Sequence, residues 1–180
     1  MKRYCPHCMC EKEVFLKAKE ETYSVKGTNI TIFAEVVTCK TCGEEIMDFE
    51  YDDINLGKAY AAYRRLNNLL TPQQIKAIRE RYEISQVAFA RILGVGDKTI
   101  ARYENGSLQD EAINNLIMLA KDPYNFQKLL NKNKTKISKD EFDRIEAKVL
   151  MLKELRTSYS PSAFNNTYSC KEPEVWSKLA

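Results

Sequence analysis

Two cysteine pairs constrain this chain more than any other feature. Cys5-Pro-His-Cys8 and Cys39-Lys-Thr-Cys42-Gly43 each leave two residues between the sulfurs. That spacing lets one tight turn aim both thiolates at a single metal ion. Two such turns complete a tetrahedron of sulfur, a donor set that zinc favours. A closed four-sulfur site has no position left for substrate or activated water. The expectation is therefore one structural Zn²⁺ on Cys5, Cys8, Cys39 and Cys42, without catalysis. Cys10 leaves four residues after Cys5 and breaks the symmetry of the pairs, so it reads as a spare thiol. Cys170 is isolated and is assigned no role, and His7, the sole histidine, reads as an exposed turn residue. A thioredoxin-like redox pair is the competing reading. It needs only one such motif, and no alternating strand and helix pattern surrounds either.

A metal staple suits a chain of 180 residues, which holds one domain or two small ones, because the smallest domains need support beyond their own core. The composition, 44% apolar and 29% charged, is that of a soluble protein, and no apolar run approaches the roughly 20 residues of a membrane span. Met1-Lys2-Arg3-Tyr4-Cys5 offers no apolar signal region, so a cytoplasmic location with reduced thiols is expected. A single histidine cannot supply a Ser-His-Asp site alongside other acid-base chemistry, and no glycine-rich phosphate loop is present. The chain is not read as an enzyme.

Residues 1–53 read as a small β-rich zinc-binding domain. Thr22 to Val25 and Ile30 to Val37 are strand-like, with Lys26-Gly27-Thr28-Asn29 as the turn between them. Over 54–70 the pattern turns helical, with Leu56, Tyr60, Tyr63 and Leu70 roughly on one face, and predicts a linker helix that stops at Thr71-Pro72. Residues 71–131 predict an all-α domain of short helices punctuated by Ser85, Gly94, Gly96, Gly106 and Asp122-Pro123. Residues 132–180 form a C-terminal extension. Ser138 and Glu141 open a helix over about 138–155 with the stripe Phe142, Ile145, Val149 and Leu152. That stripe fits docking on the bundle or a dimer seam. Residues 157–180 read as loosely ordered and anchored by Trp176. The fold class is α+β. Charge follows the same division: residues 1–53 carry 7 basic and 11 acidic side chains, a balance of −4, while 54–131 carry 11 and 7, a balance of +4. The basic part suits phosphate backbones.

Within that part, Ser85 caps a short helix that Ala88 and Ala90 keep slim and Gly94 ends. A second helix follows over Val95 to Gly106, buried through Ile100 and Tyr103, with Asp97, Lys98 and Arg102 on the opposite face. Tyr103-Glu104-Asn105-Gly106 ends it in a way that resembles the repressor-type helix-turn-helix family of phage repressors. The resemblance implies a lambda-repressor-like fold with Gln86 and Asn105 on phosphates and Asp97, Lys98 and Arg102 at base edges of double-stranded DNA. Arg102 suits guanine O6 and N7. Asp97 either accepts from a cytosine amino group or caps the helix, because Gly96 stands where a Ser or Thr cap is usual.

The two halves together resemble the MqsA antitoxin family, also called the YgiT-type zinc finger family. The match covers about residues 4–131. Besides the four cysteines it includes Glu44-Glu45-Ile46-Met47, the Gly94-Val95-Gly96 turn, Arg102-Tyr103-Glu104 and Asp122-Pro123. The resemblance implies an antitoxin whose zinc domain neutralises a ribonuclease toxin. It further implies that the helix-turn-helix domain, as a homodimer, binds a palindrome in the operon's own promoter and represses it. A stand-alone zinc-stapled repressor of a phage or mobile element, without a toxin, is the alternative.

Overall fold

The computed structural model describes residues 1–158; the expectations for the tail, including Trp176 and Cys170, fall outside them. Four strands open the chain: β1 (Lys2–Cys5), β2 (Cys10–Val25), β3 (Thr28–Cys39) and β4 (Glu45–Ile46). They form one antiparallel sheet in sequence order. Helices follow: α1 (Phe49–Leu66), α2 (Pro72–Arg81), α3 (Gln86–Leu93), α4 (Thr99–Glu104), α5 (Glu111–Ala120), α6 (Pro123–Lys132) and, after a 3-10 turn at Lys134–Lys136, α7 (Lys139–Ser158). The fold is α+β.

The β2-β3 hairpin is longer and its turn tighter than the sequence suggests. Val25 pairs with Thr28, leaving a two-residue turn. Lys26 and Gly27 have φ of 47° and 79°, the left-handed pair of a type I′ turn whose twist matches the strands it joins. Residues 10–21 belong to β2 although nearly all are exposed. Beyond Glu13, where its pairing with β1 ends, β2 lies on the sheet edge, and the strand carries Glu11, Lys12, Glu13, Lys17, Lys19, Glu20 and Glu21, so the apolar alternation that betrays a half-buried strand is missing.

Helix α1 starts at Phe49, ahead of the expected 54, because Asp48 caps it by accepting from the Glu50 amide at 3.1 Å. It ends at Leu66, short of the expected 70. Its buried face carries Ala59, flanked by Tyr60, Ala62 and Tyr63, packed against Val25, Ile30, Ile32 and Ala34. Leu56 is exposed, and Leu70 joins the helical core instead. Asn55 is buried at the edge of β3, where its amide donates to Glu35 O and accepts from Glu35 N, both at 3.0 Å. A backbone edge that would otherwise be unsatisfied is closed by one side chain.

In the helical half the Ser85 cap and the Gly94 stop are where the sequence predicts them: the Ser85 hydroxyl accepts from the Ala88 amide at 3.0 Å, and Gly94 ends α3 with φ 76°. Thr71 and Gln74 add a capping box on either side of Pro72. Its core centres on Phe89 and Phe126, with Tyr82 stacked on Phe126 at 3.8 Å between centroids and donating its hydroxyl hydrogen to Ala120 O at 2.7 Å. Helix α7 lays Phe142, Ile145, Val149 and Leu152 on this core and adds an ion pair from Lys148 to Glu83. Its stripe is occupied by the bundle of the same chain, so it does not form a free dimer seam. The hairpin tip reaches the α4–α5 loop through Lys26 and Asp110 at 2.9 Å. Buried Arg64 of α1 donates to Gly106 O at 2.5 Å and Ser107 O at 3.2 Å.

Candidate functional sites: a four-cysteine cluster and the α3–α4 pair

Each cysteine pair begins at a strand end and closes over a short turn. Cys5 ends β1 and Cys8 lies in the turn to β2; Cys39 ends β3 and Cys42 lies in the turn to β4. The second turn is fixed by the Gly43 amide donating to Cys39 O at 2.9 Å, with Gly43 at φ 77°. The Sγ atoms of Cys5, Cys8, Cys39 and Cys42 all lie within 4.8 Å of one another, and Cys5 and Cys42 are 3.6 Å apart. A tetrahedron with zinc–sulfur bonds of about 2.3 Å has sulfurs about 3.8 Å apart, so the donor set fits such an ion. Cys5 and Cys39 are fully buried, and Cys8 and Cys42 half so. The Cys42 amide, aimed at the Cys39 sulfur, helps bring that thiol down to about 6. A hydrogen bond with Cys42, reinforced by burial, pushes Cys8 up to about 12. Cys10 stands outside the cluster, exposed, its thiol donating to Cys8 O at 3.2 Å. His7 is an exposed turn residue.

The second site is the pair α3 and α4. Helix α4 starts at Thr99, later than the sequence suggests, and buries Ile100 and Tyr103. Lys98, Arg102 and Asn105 are exposed. Asp97 does not cap α4, which has no side-chain cap; it pairs with Arg91 of α3 at 2.8 Å. Gln86 opens α3 half-buried, its amide donating to Glu104 at 2.7 Å. Glu104 is the hub that sequence reasoning missed. Arg79 of α2 donates to both its oxygens, at 2.7 and 3.0 Å, and also to Ile84 O at 2.8 Å. Burial pushes the Glu104 carboxyl up, but the bonds from Arg79 and Gln86 outweigh it and hold the group below its ordinary value. Three helices are tied together by one carboxylate. Nothing local marks this, because Arg79 and Glu104 stand 25 residues apart.

A family model described as "Antitoxin component of bacterial toxin-antitoxin system, MqsA" matches residues 1–131. The chain belongs to the MqsA antitoxin family. Membership covers both sites, the cysteine cluster and the α3–α4 pair, and stops at the end of α6. Among curated proteins nothing matches this chain. Helix α7 is thus an addition beyond the matched part of this MqsA-family antitoxin. Among its described residues no helix is long and apolar enough to cross a membrane.

Proposed function

We propose that this chain neutralises a partner toxin of ribonuclease type through its zinc-binding half, residues 1–53. We further propose that residues 71–131, joined to it by α1, form a helix-turn-helix domain that binds a palindromic operator as a homodimer and represses its own operon. It acts as a binding protein, not an enzyme, in the cytoplasm. Cys5, Cys8, Cys39 and Cys42 hold one Zn²⁺, which supplies four strong bonds to a sheet with little core of its own.

The observation that carries the DNA-binding reading is the two-sidedness of α4. Ile100 and Tyr103 fasten it to the bundle, while Lys98 and Arg102 are exposed and have no ion-pair partner among the described residues. Arg102 then reads a guanine edge through two hydrogen bonds, and Lys98 contributes a flexible charge. Asp97, already engaged by Arg91, positions the turn and reaches a cytosine amino group only with its remaining acceptor capacity. Gln86 and Asn105 contact phosphates and carry no sequence information. The acidic balance of residues 1–53 favours a basic protein partner.

The test is co-expression with the product of the neighbouring gene. The reading predicts that the neighbour alone arrests growth, that this chain relieves the arrest, and that the two co-elute. A lone dimer that shifts its promoter DNA and leaves the neighbour's effect untouched would make it a stand-alone zinc-stapled repressor.

A further inference from the structure

We infer that the segment from Lys132 to Lys139 is a second clamp for phosphate backbone, built beside the α3–α4 turn by the part of the chain that lies beyond the family match; the inference rests on the DNA-binding reading above. The segment leaves α6 at Asn133, whose amide donates to Ile92 O at 2.9 Å in the last turn of α3. It makes one 3-10 turn, closed by the Lys136 amide donating to Asn133 O at 2.9 Å. Ile137 is then buried in the bundle core, and the Ser138 hydroxyl accepts from Glu141 N at 3.3 Å to start α7. The backbone is therefore pinned at both ends, and α7 is itself anchored by Ile145 and Val149.

From this pinned segment Lys132, Lys134, Lys136 and Lys139 are all exposed, and among the described residues none is ion-paired. The Lys136 ammonium lies 3.6 Å from the point a Cβ on Gly94 would occupy. Gly94 ends α3 and opens the turn into α4. The acids closest to these cations along the chain or by contact are Asp97, whose carboxylate Arg91 engages, and Asp140 and Glu141 on the first turn of α7. Counting Arg91, five cations stand against three carboxylates, a balance of plus two. A charged face is often only solvated. Here the lysines sit on backbone that is already ordered, so binding a polyanion costs little chain entropy. Lys136 also stands beside Gly94, at the turn into the element proposed to enter the major groove, where a duplex presents its phosphates.

The test uses the full chain, its promoter duplex and a random duplex, with binding followed by fluorescence anisotropy across a series of potassium chloride concentrations. Wild type is compared with Lys134→Gln/Lys136→Gln and with Lys12→Gln/Lys17→Gln, which removes the same charge from the hairpin. The clamp predicts that the log-log salt slope of the first variant is shallower by about 3.6 for the bound homodimer, since two phosphate contacts are lost in each of two protomers and each removes about 0.9. It also predicts an unchanged ratio of promoter to random binding and an unchanged slope for the hairpin variant. Wild-type binding with an equal slope in all three proteins would overturn the clamp alone, as would equal losses in both variants. Failure of wild type to bind either duplex would overturn the DNA reading and the clamp with it.

Discussion

The sheet half buries its apolar side chains in two small groups. One is Cys5, Val14, Val37, Cys39 and Ile46; the other is Val25, Ile30, Ile32, Ala34 and Ala59 under α1. The helical half buries eighteen side chains in one cluster, from Ile75 to Val149. The helical half is held by the packing of this one continuous cluster, whereas two of the five buried side chains at the cysteine end of the sheet, Cys5 and Cys39, belong to the four-cysteine cluster itself. The difference teaches where chemistry substitutes for area, and it predicts that the two halves fail separately.

Cys39→Ser breaks the comparison hardest. It removes a buried donor, and residues 1–46 are expected to lose their sheet while α2–α6 stay folded, read by residue-resolved amide exchange; a single cooperative loss of both halves would contradict the division. Phe126→Ala is the counterpart on the other side. It opens a cavity beneath Tyr82 and Phe89 and should cost about 3 to 5 kcal/mol in the helical transition, leaving metal binding intact. Arg79→Met strips Glu104 of its main partner and should cost the helical half about 3 kcal/mol, since one buried charge is left behind.

The same pair gives a pH signature. The Glu104 carboxyl is held below its ordinary 4.5 in the folded chain, so its contribution is fully present above about that pH and is lost as pH falls through the lower folded value. Denaturation of wild type between pH 5 and 3 should therefore show an acid loss in the helical transition that Arg79→Met weakens. The smallest effect is on recognition: Arg102→Ala should relax base preference by about 1 to 3 kcal/mol, whereas Gln86→Ala should weaken specific and random duplexes alike. Equal losses on both duplexes for both variants would remove those roles.

What was legible in the sequence tracks how local its cause is. The cysteine spacing, the Thr71-Pro72 boundary, the Ser85 and Ser138 caps and the Gly94 stop are each written within a few residues, and the structure has them. The stripe of α7 was legible as a seam, although its partner, the bundle core, was one of two open choices. Long-range pairings were not legible. Asn55 closing the β3 edge, Arg64 holding the α4–α5 loop and Glu104 joining α2 to α3 all depend on residues brought together by the fold. The charged edge of β2 hid half of the hairpin for a different reason, because a solvated edge strand has no apolar face to reveal its period.

The central claim is that a metal-held half serves the protein partner while a packed half serves DNA. It is tested most directly by measuring, in one chelator-treated sample, binding to the growth-arresting neighbour product and to the promoter duplex. The account predicts that capture of the neighbour is lost and returns with added Zn²⁺, while promoter binding persists throughout. Loss of both together, or persistence of both, would contradict it.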